Sequence, residues 1–171
     1  MKLLIIFTYL IIANFSYASE KPNIKNLVLI KNPKIYEDVI FTDINQKNVD
    51  LNQFKGKLII LNFWATWCAP CKEEMPSLDN LQSNGNLSNL KIFPINIGRE
   101  DISKAKIFFK ELNIQNLDVY TDAPTTLAKK FSLRGVPTTI LFNKQGKEFA
   151  RIMGSIDFNN EEFINWLKKY N

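Results

Sequence analysis

The sequence predicts an α/β sandwich, a central mixed sheet with helices on both faces. Three observations carry that expectation. A nearly unbroken apolar run, Leu58 to Trp64, is what a strand covered on both faces requires. Helical spacing follows it directly, and strand and helix patterns then alternate toward the C-terminus. Two pairs of short apolar segments, one early and one late, flank polar turns, so the order reads hairpin, β, α, β, α, β, α, hairpin, α.

Taken in order, Met1-Lys2 precedes the apolar run Leu3 to Ala13, and Ser16-Tyr17-Ala18 supplies the small residues of a cleavage site. Residues 1–18 therefore read as a secretory signal peptide. The alternative, a retained membrane anchor, needs roughly 20 apolar residues, whereas Asn14 and Ser16 end this run early. No cysteine follows it to accept a lipid. Residues 19–38 read as an irregular lead-in holding one short apolar piece, Leu27 to Ile30. Ile40-Phe41 and Val49 to Leu51 flank the polar Asp43 to Lys47 as the first hairpin. Phe54-Lys55-Gly56-Lys57 then turns the chain into the apolar strand.

From Ala69, the residues Met75, Leu78 and Leu81 recur at near-helical spacing, with Pro76 expected to kink the helix by removing a backbone donor. Leu90 to Ile97 reads as a strand despite Pro94. Asp101 is a helix cap for the apolar face of Ile102, Ala105, Phe108, Phe109 and Leu112. A short strand at Leu117 to Tyr120 and a short helix at Pro124 to Leu133 follow. Thr138 to Phe142 and Glu148 to Met153 make the second hairpin around Asn143 to Gly146. The last helix starts after Asn159 or Asn160, with Glu161 and Glu162 at its positive end and Lys168 and Lys169 at its negative end.

The 171 residues suffice for one domain with its own core, and a monomer is expected. A net charge of +5 comes from lysines scattered along the chain rather than gathered in a run, which argues against a nucleic-acid partner. Histidine is absent. That removes hydrolase triads with a His base, His-ligated zinc or copper, and His-ligated haem.

The two cysteines stand two residues apart in Phe63-Trp64-Ala65-Thr66-Trp67-Cys68-Ala69-Pro70-Cys71-Lys72. A closed zinc site needs about four ligands, more than two cysteines and no His supply. A purely structural bridge would close too small a loop to gain much unfolded-state entropy. A redox pair is the strongest of the three readings. At a helix N-terminus the thiolate of Cys68 meets unpaired backbone N–H groups and the positive end of the helix dipole, which lowers its pKa. Cys68 is the expected nucleophile, and Cys71, one turn inside, the expected resolving thiol.

This segment resembles the active-site segment of the thioredoxin superfamily. "FKGK" before the strand, "EEMP" after the cysteines and "LRGVPTTILFNKQGK" downstream are similar to its secreted TlpA/ResA-like branch. The resemblance spans about Val39 to the end, so residues 39–171 are expected to form a thioredoxin-like domain with an N-terminal β-hairpin and a central strand-helix insertion. It implies that Pro137 follows a cis bond beside the redox pair, where the residues alone read a turn before a strand. It also implies that the Val136 backbone pairs with an extended substrate segment, that Trp67 covers the cysteines at the surface, and that Glu74 handles protons near them. The plain alternative for Glu74 is a solvated helix face, the role expected of Glu73. Phe63 and Trp64 are expected in the core. Thioredoxin itself has an acid where this chain has Asn62, which cannot take a proton, so acid-base work falls to Glu74 or water.

Together these imply an extracytoplasmic thiol-disulfide oxidoreductase that reduces disulfides in partner proteins without metal or organic cofactor. Apocytochrome c or copper-site assembly factors of a respiratory oxidase are the implied partners, with a membrane thiol-disulfide carrier as electron donor. Two alternatives stay open. One is a peroxiredoxin-like peroxidase, disfavoured by the paired rather than lone cysteine. The other is a Cu(I) carrier using two soft thiolates, disfavoured by the absence of His and the proline expected beside the pair.

Overall fold

The long apolar run does form a strand, and the rest of the chain is arranged around it. The computed structural model describes residues 21–122 and 125–171. The signal-peptide reading of residues 1–18 lies outside the described residues. The elements are β1 (Leu27–Ile35), β2 (Ile40–Asp43), β3 (Asn48–Asp50), β4 (Leu58–Trp64), α1 (Ala69–Gln82), β5 (Leu90–Asn96), α2 (Ile102–Glu111), β6 (Tyr120–Thr121), α3 (Thr126–Lys130), β7 (Thr138–Phe142), β8 (Lys147–Met153) and α4 (Glu161–Leu167). The eight strands make one mixed sheet in the order β1-β8-β7-β4-β5-β6-β2-β3.

β4 lies parallel to β5, with Leu58 opposite Leu90 and Trp64 opposite Asn96, and antiparallel to β7, with Phe63 opposite Thr138. Both its edges are therefore paired. Its side chains alternate between two cores, as the strand period of two demands. Leu58, Ile60 and Trp64 meet Met75 and Leu78 of α1, Phe108 and Phe109 of α2, and Phe163 and Trp166 of α4. Ile59, Leu61 and Phe63 meet Phe41, Phe93 and Phe131, with Leu127 of α3. Each such buried side chain contributes about 1.5–3 kcal/mol relative to leaving it in water. Helices on both faces of a mixed sheet are the architecture the sequence predicts.

Several boundaries differ from expectation. The lead-in is not irregular throughout: Leu27–Ile35 is an edge strand, paired antiparallel with β8 from Leu27–Ile152 to Ile35–Lys147. Its register shifts between Leu29 and Lys34, where Asn32-Pro33 interrupts the ladder, and its charged, exposed surface hides the strand period. β6 holds only Tyr120–Thr121, while Leu117 and Val119 are buried in the loop before it. Pro94 is tolerated because β5 touches β6 only at Ile95 and Asn96, so at Pro94 the strand borders β4 alone. α3 begins at Thr126, where the Asp122 carboxylate accepts bonds from Thr126 Oγ1 and the Leu127 and Ala128 N–H groups. The final helix is capped by Asn160 Oδ1 on the Phe163 N–H and stops at Leu167, leaving Lys168 as its C-cap and Lys169 beyond. The β7–β8 turn matches expectation, with Asn143 Oδ1 accepting from the Gln145 and Lys147 N–H groups and Gly146 at φ +72.

Candidate active site

The site begins where β4 ends. The Trp64 carbonyl accepts from the Ile97 N–H and the Ala65 carbonyl from the Cys68 N–H, so the chain turns tightly from sheet to helix. Cys68 is the N-cap of α1, and its Sγ accepts the Cys71 N–H at 3.3 Å. Pro70 fits the first turn, where a backbone donor is not needed. Cys68 and Cys71 are joined by a disulfide with their Cα atoms 5.3 Å apart. Cys71 is fully buried, and Cys68 retains 4% exposure. Trp67 beside them is 72% exposed, whereas Phe63 and Trp64 are wholly buried, which is the division expected.

Glu74 lies three residues past Cys71, on the same stripe of α1 as Met75 and Leu78. It is 2% exposed, so it is not a solvated helix-face charge; the neighbouring Glu73 is exposed. Asn62 Nδ2 donates to Glu74 Oε1 at 2.8 Å and to Thr139 Oγ1 at 2.9 Å, and the Ile156 N–H donates to Glu74 Oε2 at 3.3 Å. Burial pushes the Glu74 carboxyl up to about 7, against the lowering effect of the Asn62 and Ile156 bonds. Asn62 Oδ1 is buried without a partner among the described residues. Asn62 thus meets a buried carboxyl from the facing helix.

The Val136–Pro137 bond is cis. Thr138 Oγ1 donates to the Gly135 carbonyl at 2.7 Å, and the Gly154 N–H donates to the Pro137 carbonyl at 2.9 Å. Residues 154–156 therefore bridge the proline loop and Glu74.

Sequence reasoning missed a second support. Glu100 Oε1 accepts from Thr66 Oγ1 at 2.8 Å and, at 3.4 Å each, from the Thr66 N–H and Asn96 Nδ2. These bonds hold the Glu100 carboxyl below its usual range, although partial burial alone would raise it. A Cβ added at Gly98 would overlap the Glu100 carboxylate, so glycine there leaves room for this clamp. Thr66 and Glu100 are far apart in the chain and no motif joins them. Asn62 did carry a signal, since a polar residue inside an apolar strand demands a buried partner.

The Redoxin family profile matches residues 22–162. Thiol-disulfide oxidoreductase ResA of Bacillus subtilis (strain 168) is 32% identical over 130 residues, covering 75% of this chain and 72% of the relative. The ResA of Bacillus thuringiensis subsp. konkukian (strain 97-27) is also 32% identical over 130 residues, covering 76% and 73%. The chain is a ResA-like member of the thioredoxin superfamily. Solved structures agree on the fold. A DsbF homologue from Corynebacterium diphtheriae aligns at TM-score 0.71 with 22% identity, over 88% of this chain and 96% of that one. StoA from Bacillus subtilis aligns at TM-score 0.62 with 20% identity, over 85% and 98%. As a ResA-like protein with a disulfide-forming Cys68–Cys71 pair, the chain is a thiol-disulfide oxidoreductase.

Proposed function

We propose that the protein works outside the cytoplasm as a reductant of disulfides in partner proteins. The observation that carries this reading is the pairing of Cys68–Cys71 at the start of α1 with a buried Glu74 that titrates near neutrality. In the reduced protein the Cys68 thiolate attacks one sulfur of a partner disulfide. The partner's S–S bond breaks, its other sulfur leaves as a thiolate and takes a proton, and a mixed disulfide forms. Glu74, as carboxylate, takes the proton of the Cys71 thiol. Cys71 then attacks Cys68 Sγ and the second partner sulfur leaves. Two electrons have passed to the partner, and Cys68–Cys71 is oxidised. A membrane dithiol carrier returns the two electrons.

The direction follows from the surroundings of Cys68. An oxidant needs a strongly stabilised thiolate. Ala69 and Pro70 offer no cationic or hydrogen-bonding side chain, the chain has no His, and Glu74 opposes a second negative charge when ionised. The apolar segment Leu3 to Ala13 and the cleavage pattern ending at Ala18 support export. Among the described residues no helix is long and apolar enough to cross a membrane. Apocytochrome c or copper-site assembly proteins of a respiratory oxidase are the partners we assign, on the ResA-like resemblance.

Trapping tests the proposal. Cys71→Ser is expected to accumulate a mixed disulfide with its partner and Cys68→Ser none. If Cys68→Ser traps and Cys71→Ser does not, the roles are reversed; if neither does, the reductase reading fails.

A further inference from the structure

The surface beside the proline loop is electrically lopsided. A groove of about 600 Å³ runs along the entry to β7, lined by Arg134, Val136, Pro137, Arg151 and Met153, and no carboxylate lines it. Its two cations differ in what they already do. Arg151 Nε and Nη2 donate to the buried Glu148 at 2.9 and 3.2 Å and Nη1 donates to the Phe131 carbonyl, so its charge is balanced inside the fold. Arg134 is exposed and makes no hydrogen bond or ion pair with any described residue. On the other flank a cavity of about 480 Å³ is lined by Glu73, Glu74 and Asp157. The bridge 154–156 separates the two.

Two further features mark the groove as a docking surface. The N–H and C=O of Val136 make no hydrogen bond to any described residue, so a passing backbone can pair with them. Met153, which lines the groove, is 51% exposed and supplies an apolar contact.

We propose that this groove receives an extended segment of the partner protein carrying a carboxylate, which Arg134 binds while the segment pairs with Val136 and presents its cysteine to Cys68. A lysine at the same place would meet an unbalanced cation. Arg134 is then a specificity-determining residue, within the thiol-disulfide exchange proposed above. Because the pair is solvent-exposed, the preference is modest, about three- to ten-fold in kcat/KM at low salt, and shrinks as salt rises.

The test uses synthetic peptides, each joined through one cysteine to 2-mercaptoethanol, with Glu, Gln or Lys two residues before or after that cysteine. Their reduction by the reduced protein is compared in wild type, Arg134→Gln and Arg134→Glu. Bis(2-hydroxyethyl) disulfide, which is uncharged and small, serves as control and is expected to react equally with all three. Wild type is expected to favour Glu over Lys in one placement, Arg134→Gln to lose the preference and Arg134→Glu to invert it. Equal rates for all peptides in wild type, or an unchanged preference in Arg134→Glu, would overturn the inference while leaving the reductase standing. Should light scattering show a dimer that Arg134→Glu dissolves, the groove belongs to a second copy of the chain and the inference also falls. No reduction of the small disulfide by wild type would instead strike the exchange reading itself.

Discussion

Glu74→Gln should make the oxidised protein insensitive to pH over a range where the wild type is not. The Glu74 carboxyl titrates at about 7 in the fold, against 4.5 when unburied. Between those values the native state holds a proton that the unfolded chain has lost, so stability falls as pH rises. The contribution is fully present below about 4.5, is lost progressively through the window and is gone above about 7. At about 1.4 kcal/mol per pH unit, the span from 4.5 to about 7 amounts to roughly 3 kcal/mol, most of it lost between pH 5 and pH 8. For a domain of this size that is about 5–10 °C in Tm. Other shifted groups stay silent there: Glu100 and Asp101 are lowered, while Tyr36 and Tyr120 are raised to about 12. Thermal or urea unfolding of both oxidised proteins at pH 5 and pH 8, without thiol reagents, reads the difference. Parallel pH dependence in wild type and Glu74→Gln would refute the reasoning and remove Glu74 as the proton-active group.

Asn62→Ala removes the donor to Glu74 Oε1, so the pH midpoint of the same stability curve should move upward by about one pH unit. Glu100→Ala should loosen the turn carrying Trp67 and Cys68, lowering kcat/KM for a protein disulfide by about five-fold, from roughly 1 kcal/mol of lost hydrogen bonding. Gly98→Ala should reproduce that loss by displacing the Glu100 carboxylate, and the double variant should be no worse than either alone. Additive losses would show that the two residues act separately.

What the sequence disclosed follows the range of the interactions involved. β4, the cysteine pair and the start of α1 lie within one short stretch, so local apolar pattern and helix chemistry sufficed to read them. The burial of Glu74 was not read from the sequence, where a solvated helix face stayed open, although Cys71, Glu74, Met75 and Leu78 share one stripe of α1. β1 escaped because its partner strand begins at Lys147 and its exposed lysines mask any alternation. The Thr66–Glu100 clamp escaped for a similar reason, since it joins a loop after β5 to the turn before α1 through side chains that carry no motif. The cis bond at Val136–Pro137 was not readable from the two residues alone; the family resemblance supplied that expectation.

The reduction potential of the Cys68–Cys71 pair tests the central claim most directly. The protein is equilibrated with defined thiol-disulfide buffers, and its oxidised fraction is read by alkylation and mass. A pair flanked by Ala69 and Pro70 and backed by Glu74 should be reducing, closer to the thioredoxin value of about −270 mV than to the oxidase value of about −120 mV. A potential near the oxidase value would contradict the reductant assignment and leave the fold and family unchanged.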